Sequence, residues 1–330
     1  MHHLRRSSDP VELRFLTDDH IELAAHAWGQ PEHPPVILLH GGGQTHHAWK
    51  NTARVLAAQG FYAMAMDLRG HGDSGWSPDG KYAIDSLVAD LRCIAASCRQ
   101  PPVLIGASLG GITGLVAEGE GPPLLAALVL VDVTPTMQHS GIEKIRQFMG
   151  AQVVEGFASI EAAADVIAAY LPLRARPQSL SGLDKNLRRH ADGRYRWHWD
   201  PALLKFSDEL LLPALSARLT AAASGLKLPT LLVRGGASEL VSPADVERFL
   251  ALVAHARHAD ISDASHMVAG DVNDHFGGVV VDFLKDLETL KKTAIPDRTL
   301  QRPNCPASTG LISKAGTAGK HENFLRDLNQ

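Results

Sequence analysis

Ser108 stands in Gly106-Ala107-Ser108-Leu109-Gly110, a GxSxG pentapeptide that closes the apolar run VLIGAS (103–108). A serine hydroxyl is a weak nucleophile unless a base takes its proton, so its chemistry depends on its company. The run reads as a strand that stops on the serine and opens at once into a helical pattern. In that setting a sharp turn lifts a nucleophile clear of the sheet. The turn leaves no room for side chains two positions to either side, and glycines at 106 and 110 meet that requirement. Alone, the pentapeptide is also compatible with a glycine-rich turn that merely needs a small residue.

The partners lie at other strand ends. Of 17 histidines, His266 in DASHMVAGD follows the last predicted strand and precedes the final predicted helix. Loops at the C-terminal ends of parallel strands converge on one edge, which brings His266 toward Ser108 as its base. Glu239, in LLVRGGASELVSP, follows the strand predicted at 230–236 and supplies a carboxylate to orient the imidazole. The chain order Ser, acid, His is met by 108, 239 and 266. Asp263 is too close in sequence to His266 to serve. After the first parallel strand comes His40-Gly41-Gly42-Gly43, where a backbone N–H can meet a developing oxyanion. Gly42 and Leu109 are the expected donors, and Gly43 suits less well. The glycine run fits neither GxGxxG nor GxxxxGK[ST], so it does not read as a phosphate loop.

Other polar residues have plainer readings. Asp67, Arg69, His71 and Asp73 form a charged turn expected to brace loops. His46 and His47 beside His40 lack acidic or cysteine companions, so no metal is expected. Trp197, His198 and Trp199 either pack an inserted segment or line a pocket, with Trp197 and Trp199 as the candidate substrate contacts. Residues 174–196 carry Arg174, Arg176, Lys185, Arg188, Arg189, Arg194 and Arg196 against Asp184 and Asp192. That is a solvated face, or an attractor for an ester that also bears a free carboxylate.

The elements that must position these residues can be read from periodicity. VELRF and IELAAHAW alternate around Asp18-Asp19 and read as an antiparallel entry into the fold. VILLH (36–40), YAMAMD (62–67), VLIGAS (103–108), LAALVLVDV (125–133) and TLLVRGG (230–236) are continuous apolar runs. Such runs suit parallel strands buried on both faces. Helical patterns at 46–59, 84–99 and 109–119 alternate with them, which predicts an α/β doubly wound, mostly parallel sheet. The alternation stops between 136 and 226, where amphipathic stretches at 142–150, 159–171 and 202–221 predict a helical insertion. It resumes with a helix at 243–254, a strand at 256–262 and a helix at 271–290. The expected organisation is a core from 1–135 and 227–290, a cap at 136–226 and a disordered tail at 291–330, where seven basic residues face three acidic ones.

Composition bounds the rest. With 330 residues, 45% apolar and 21% charged, the chain can bury a sizeable core, and a net charge of −4 argues against nucleic acid as a partner. Cys93, Cys98 and Cys305 form no CxxC and read as reduced thiols. MHHLRRSSDP is not followed by an apolar stretch, and no run of about 18 apolar residues occurs, so neither a secretory signal nor a membrane span is expected. The expected setting is cytoplasmic.

LLHGGGQTHHAW (38–49), MDLRGHGDS (66–74), VLIGASLGG (103–111), LVLVDV (128–133), LLVRGGASELVSP (231–243) and ASHMVAGD (264–271) together resemble the α/β-hydrolase superfamily, over residues 11 to 290. The resemblance implies Ser108 as nucleophile, His266 as base, an acid after the strand at 230–236, a helical cap at 136–226 and no cofactor. Relatives of this kind usually carry Asp where this chain has Glu239. Some take the acid from the end of the strand at 125–133, which makes Asp132 the rival. The implied activity is cleavage of a small-molecule carboxylic ester through an acyl-enzyme. Epoxide hydrolases and haloalkane dehalogenases use Asp at the nucleophile position, which Ser108 argues against. Lactonases, carbon–carbon bond hydrolases and cofactor-free perhydrolases keep the serine, and small-molecule receptors share the fold.

Overall fold

The computed structural model describes residues 9–170, 180–205, 213–262, 264 and 273–293. His266, Arg174, Arg176 and residues 294–330 of the expected tail lie outside the described residues.

The apolar runs form a sheet of eight strands: β1 (Val11–Leu16), β2 (Glu22–Trp28), β3 (Pro35–Leu39), β4 (Tyr62–Met66), β5 (Val103–Ala107), β6 (Ala127–Val131), β9 (Thr230–Gly235) and β10 (Arg257–Ile261). Their spatial order is β1-β2-β4-β3-β5-β6-β9-β10. β2 runs antiparallel to both neighbours, and every pairing from β4 to β10 is parallel.

Continuous apolar sequence is needed because both faces are covered. In β3, Ile37 and Leu39 enter one core while Val36 and Leu38 enter the other; in β6, Leu128 and Leu130 oppose Val129 and Val131 in the same way. The first core packs beneath α2 (Ile84–Ala96), α3 (Leu109–Gly119) and the inserted segment. The second lies under α1 (Lys50–Ala58) and the last helix, α8 (Asn273–Thr293).

Between β6 and β9 the chain forms α4 (His139–Gly150), α5 (Ile160–Tyr170), a short antiparallel hairpin of β7 (Leu187–Arg189) with β8 (Tyr195–Trp197), and α6 (Pro213–Ser224). The hairpin is an addition to the helices expected there. α6 lies along α3, where Arg218 binds Asp85 and Glu120, so the segment rejoins the sheet layers before β9. α7 (Pro243–Leu252) follows β9 and starts with a capping box between Ser242 and Asp245.

Candidate active site

Ser108 occupies the single residue between β5 and α3, with φ 45° and ψ −111°. A side-chain-bearing residue is rare there, and holding it costs of order 1–3 kcal/mol. The neighbours explain how it is tolerated. A Cβ on Gly106 would lie 2.5 Å from the Gly110 carbonyl carbon, and one on Gly110 would lie 2.5 Å from the Leu39 carbonyl oxygen. The Ser108 N–H donates to Val131 O at 3.1 Å, which ties the turn to the end of β6.

Ser108 opens onto a cleft of about 620 Å³, counting its solvent-open mouth. Its wall includes Ile112 from α3, Ile142, Ile145 and Met149 from α4, and Leu203 and Leu240; Gly42, Leu109 and His71 stand at the serine end. Arg146 is the charged member of the described wall, and it pairs with Glu143 at 3.5 Å.

The glycine loop after β3 is held by side chains. The Gly41 N–H donates to Gln44 Oε1 at 3.0 Å, and the Gly43 N–H donates to His71 Nε2 at 3.1 Å. Gly43 N–H is therefore committed, while Gly42 faces the cleft. The Leu109 N–H, at the first helical position, is among the donors that a helix leaves unpaired.

The two candidate acids have contrasting environments. Glu239 has a 60% exposed side chain and pairs with Lys144 of α4 at 2.6 Å. Nearby Tyr170 has its pKa pushed up to about 12, by burial and then by the Glu239 charge. Gly141 packs against the backbone of Glu239 and Leu240, so this corner fastens α4 to the loop after β9. Asp132 is fully buried one residue past β6, with φ 51°. Its Oδ1 accepts from the Gly235 N–H at 3.0 Å and its Oδ2 from the Ser238 hydroxyl at 2.6 Å. The Ser238 Oγ in turn accepts from the N–H groups of Leu240 and Val241.

Histidines crowd the serine end. His71 lines the cleft, but both its nitrogens are engaged: Nδ1–H donates to Arg69 O at 3.1 Å while Nε2 accepts from Gly43. Burial, then the neighbouring His40 and His198, holds its pKa well below the ordinary value. His40 accepts from the Leu68 N–H at Nε2 and donates to Gly41 O from Nδ1; burial holds its pKa at about 4. The charged turn is a brace. Arg69 binds Asp90 and Asp19, and Asp67 accepts from the His46 N–H, the His46 ring and the Asp73 N–H. Burial would raise the Asp67 carboxyl, yet the His46 bond and charge hold it well below the carboxylate range. Among the described residues no three His, Cys, Asp or Glu side chains gather as metal ligands.

Trp197 and Trp199 are 6% and 2% exposed, and neither lines the cleft among the described residues. Trp197 packs edge-on to Phe157 at 5.0 Å and donates its indole N–H to Ala151 O. Of the basic stretch, Arg188 binds Asp73, Arg196 binds Asp192, and Arg194 donates to the Glu155 and Gly156 carbonyls. Sequence reading passed over Ser238, Gln44 and the role of His198. Gln44 and Ser238 are signalled by their position in the loops after two nominated strands, while His198, in the inserted segment, carries no such signal.

The sheet order, the strained serine and the cleft define an α/β hydrolase. The family model for the alpha/beta hydrolase fold matches residues 34–271, and the chain belongs to that family. It is a hydrolase. Over 258 residues it is 33% identical to Esterase Rv0045c of Mycobacterium tuberculosis, covering 76% of this chain and 82% of that protein. It is 26% identical to the 3-hydroxybutyrate-oligomer hydrolase of Cupriavidus necator, across 74% of this chain and 86% of the relative. A solved structure of the M. tuberculosis esterase superposes with a TM-score of 0.66 at 29% identity, covering 84% of this chain and 92% of that one.

Proposed function

We propose that this ester-cleaving hydrolase is a serine esterase with the triad Ser108, His266 and Asp132, Asp132 replacing Glu239 as the acid. The observation that carries the reading is the strained Ser108 lining an apolar cleft, one strand from a buried carboxylate. Ser108 Oγ attacks the acyl carbon as His266 takes its proton, and Asp132 steadies the imidazolium. The carbonyl oxygen becomes an oxyanion that receives the Gly42 and Leu109 N–H groups. As the tetrahedral species collapses, the imidazolium gives its proton to the departing alkoxide. Water then attacks the acyl-enzyme with His266 as base, releasing the carboxylic acid and restoring the serine hydroxyl.

The wall chemistry of Ile112, Ile142, Ile145 and Met149 suits an apolar acyl chain. An ester with a free carboxylate at its far end is supported by Arg146, which stands on the cleft wall, rather than by Arg188, which binds Asp73 and is not among the described lining residues. The relative named for 3-hydroxybutyrate oligomers takes substrates of that kind, esters that end in a carboxylate. A cytoplasmic setting suits Cys93 and Cys98, which are not joined in a disulfide; among the described residues no helix is long and apolar enough to cross a membrane.

A fluorophosphonate probe is expected to label the wild-type chain and not S108A. A p-nitrophenyl ester series, run beside lactones and dicarboxylate monoesters, then identifies the acyl group. Labelling that survives S108A, or its absence from the wild type, refutes the proposal. Turnover of lactones alone replaces the ester reading.

A further inference from the structure

Three consecutive glycines make a floppy loop, yet an oxyanion donor must be aimed before the charge develops. In residues 41–43 the flanking backbone groups are clamped. Gly41 O accepts from His40 Nδ1–H at 2.8 Å. In a trans peptide the next N–H points the opposite way, so this bond aims the Gly42 N–H. On the other side, Gly43 N–H is held by His71 Nε2 at 3.1 Å, and Gly43 O lies 3.4 Å from His198 Nε2. His198 reaches this loop from the inserted segment, and its Nδ1 accepts from the Gly72 N–H at 2.7 Å. Nε2 therefore carries the proton and donates to Gly43 O. Both rings must stay neutral to do this. Burial achieves it, keeping His198 at about 3 and His71 well below its ordinary value.

The geometry points to His71 and His198 as positioning residues for the Gly42 N–H, with His198 making the cap part of the oxyanion device. The inference rests on the serine-esterase reading, in which Gly42 N–H receives the oxyanion. The Gly41–Gly42 peptide carries the donor and is held through Gly41 O, and the two peptides that follow it are held by His71 and His198, so the loop cannot turn the donor away from the cleft. A cap that shifts on its core would release Gly43 O and loosen the hole.

The test exploits the different reach of Gln and Asn. At position 71 Gln places an oxygen where Nε2 stood and Asn does not; at 198 Gln keeps a donor toward Gly43 O, whereas Asn keeps only the Gly72 contact. The probes are a p-nitrophenyl ester, an alkyl trifluoromethyl ketone whose serine adduct carries an oxyanion, and the matching alkyl alcohol, which fills the cleft without reacting. H71N and H198N are expected to lose about 10- to 100-fold in kcat with KM within about threefold. Ketone inhibition should weaken in parallel and alcohol binding should hold. H71Q and H198Q should recover most of kcat.

Asn variants with wild-type kcat, or Gln variants no better than Asn at equal thermal stability, overturn the positioning role. So does a parallel loss of alcohol binding, which would mark a merely structural role. If an Asn variant fails to fold, the Gln variant at that position decides, by whether its ketone-to-alcohol affinity ratio matches wild type. Failure of the wild-type chain to react with the ketone refutes the esterase reading instead.

Discussion

Asp132→Asn and Glu239→Gln separate the two candidate acids. Asp132 is fully buried and receives the Ser238 hydroxyl at 2.6 Å and the Gly235 N–H at 3.0 Å, so its charge sits in a poorly screened, fixed geometry. In the proposed triad, removing that charge while keeping the shape leaves the imidazolium without its partner, a loss of roughly ten-thousandfold in kcat, or about 5.5 kcal/mol of barrier. Folding is expected to suffer less, by about 1–3 kcal/mol, because the amide oxygen still accepts from Gly235 and the Ser238 hydroxyl can rotate. Glu239 is 60% exposed and bound to a half-exposed Lys144. Its loss removes a solvent-screened pair worth about 0–1 kcal/mol and leaves kcat within about twofold. Steady-state hydrolysis of one p-nitrophenyl ester, with urea midpoints for each variant, measures both quantities. An E239Q variant without turnover beside a D132N variant near wild type would refute the assignment.

Acid should unfold the protein early. His40, at about 4, and His198, at about 3, are held neutral by burial, so below about 6.5 the unfolded chain binds protons that the fold refuses. Their contribution is full above that pH and falls as pH drops toward 4, by roughly 1.4 kcal/mol per pH unit per histidine. Urea midpoints that stay level from pH 7 to pH 5 would contradict this. Gly110→Ala should cost about 1–3 kcal/mol or more, because the new Cβ meets Leu39 backbone at 2.5 Å. Gly150→Ala, with nothing within 4 Å, should be neutral or stabilising; equal melting temperatures for the two variants would show that the elbow is not tightly packed.

What the sequence made legible follows from what periodicity encodes. The runs at 36–40, 62–67, 103–108 and 230–236 became β3, β4, β5 and β9 to within a residue, because a strand buried on both faces has no reason to alternate. α3 spans Leu109–Gly119, the range read from its pattern. The hairpin of Leu187–Arg189 with Tyr195–Trp197 was missed, since three-residue strands rich in arginine carry no usable period. At the site, Ser108 and Gly42 were marked by glycines whose spacing follows from sterics. Carboxylate choice was not marked this way. Glu239 and Asp132 both follow apolar runs, and what separates them is burial and the reach of Lys144 and Ser238, which are tertiary facts. His198 likewise lies 155 positions from Gly43, beyond any local pattern.

Ser108 and Asp132 share a backbone property with a price. Both hold positive φ on a non-glycine residue, at 45° and 51°, at the ends of adjacent strands. Glycine would relax the backbone at 108, where ψ is −111°, whereas at 132 it would leave the buried Gly235 N–H and Ser238 hydroxyl without their acceptor. In the proposed triad, position 108 therefore sets folding against chemistry: the more robust protein there is the inert one. Selection for durability alone would drift toward glycine here, so a library ranked only by thermal stability would enrich for proteins that no longer turn over.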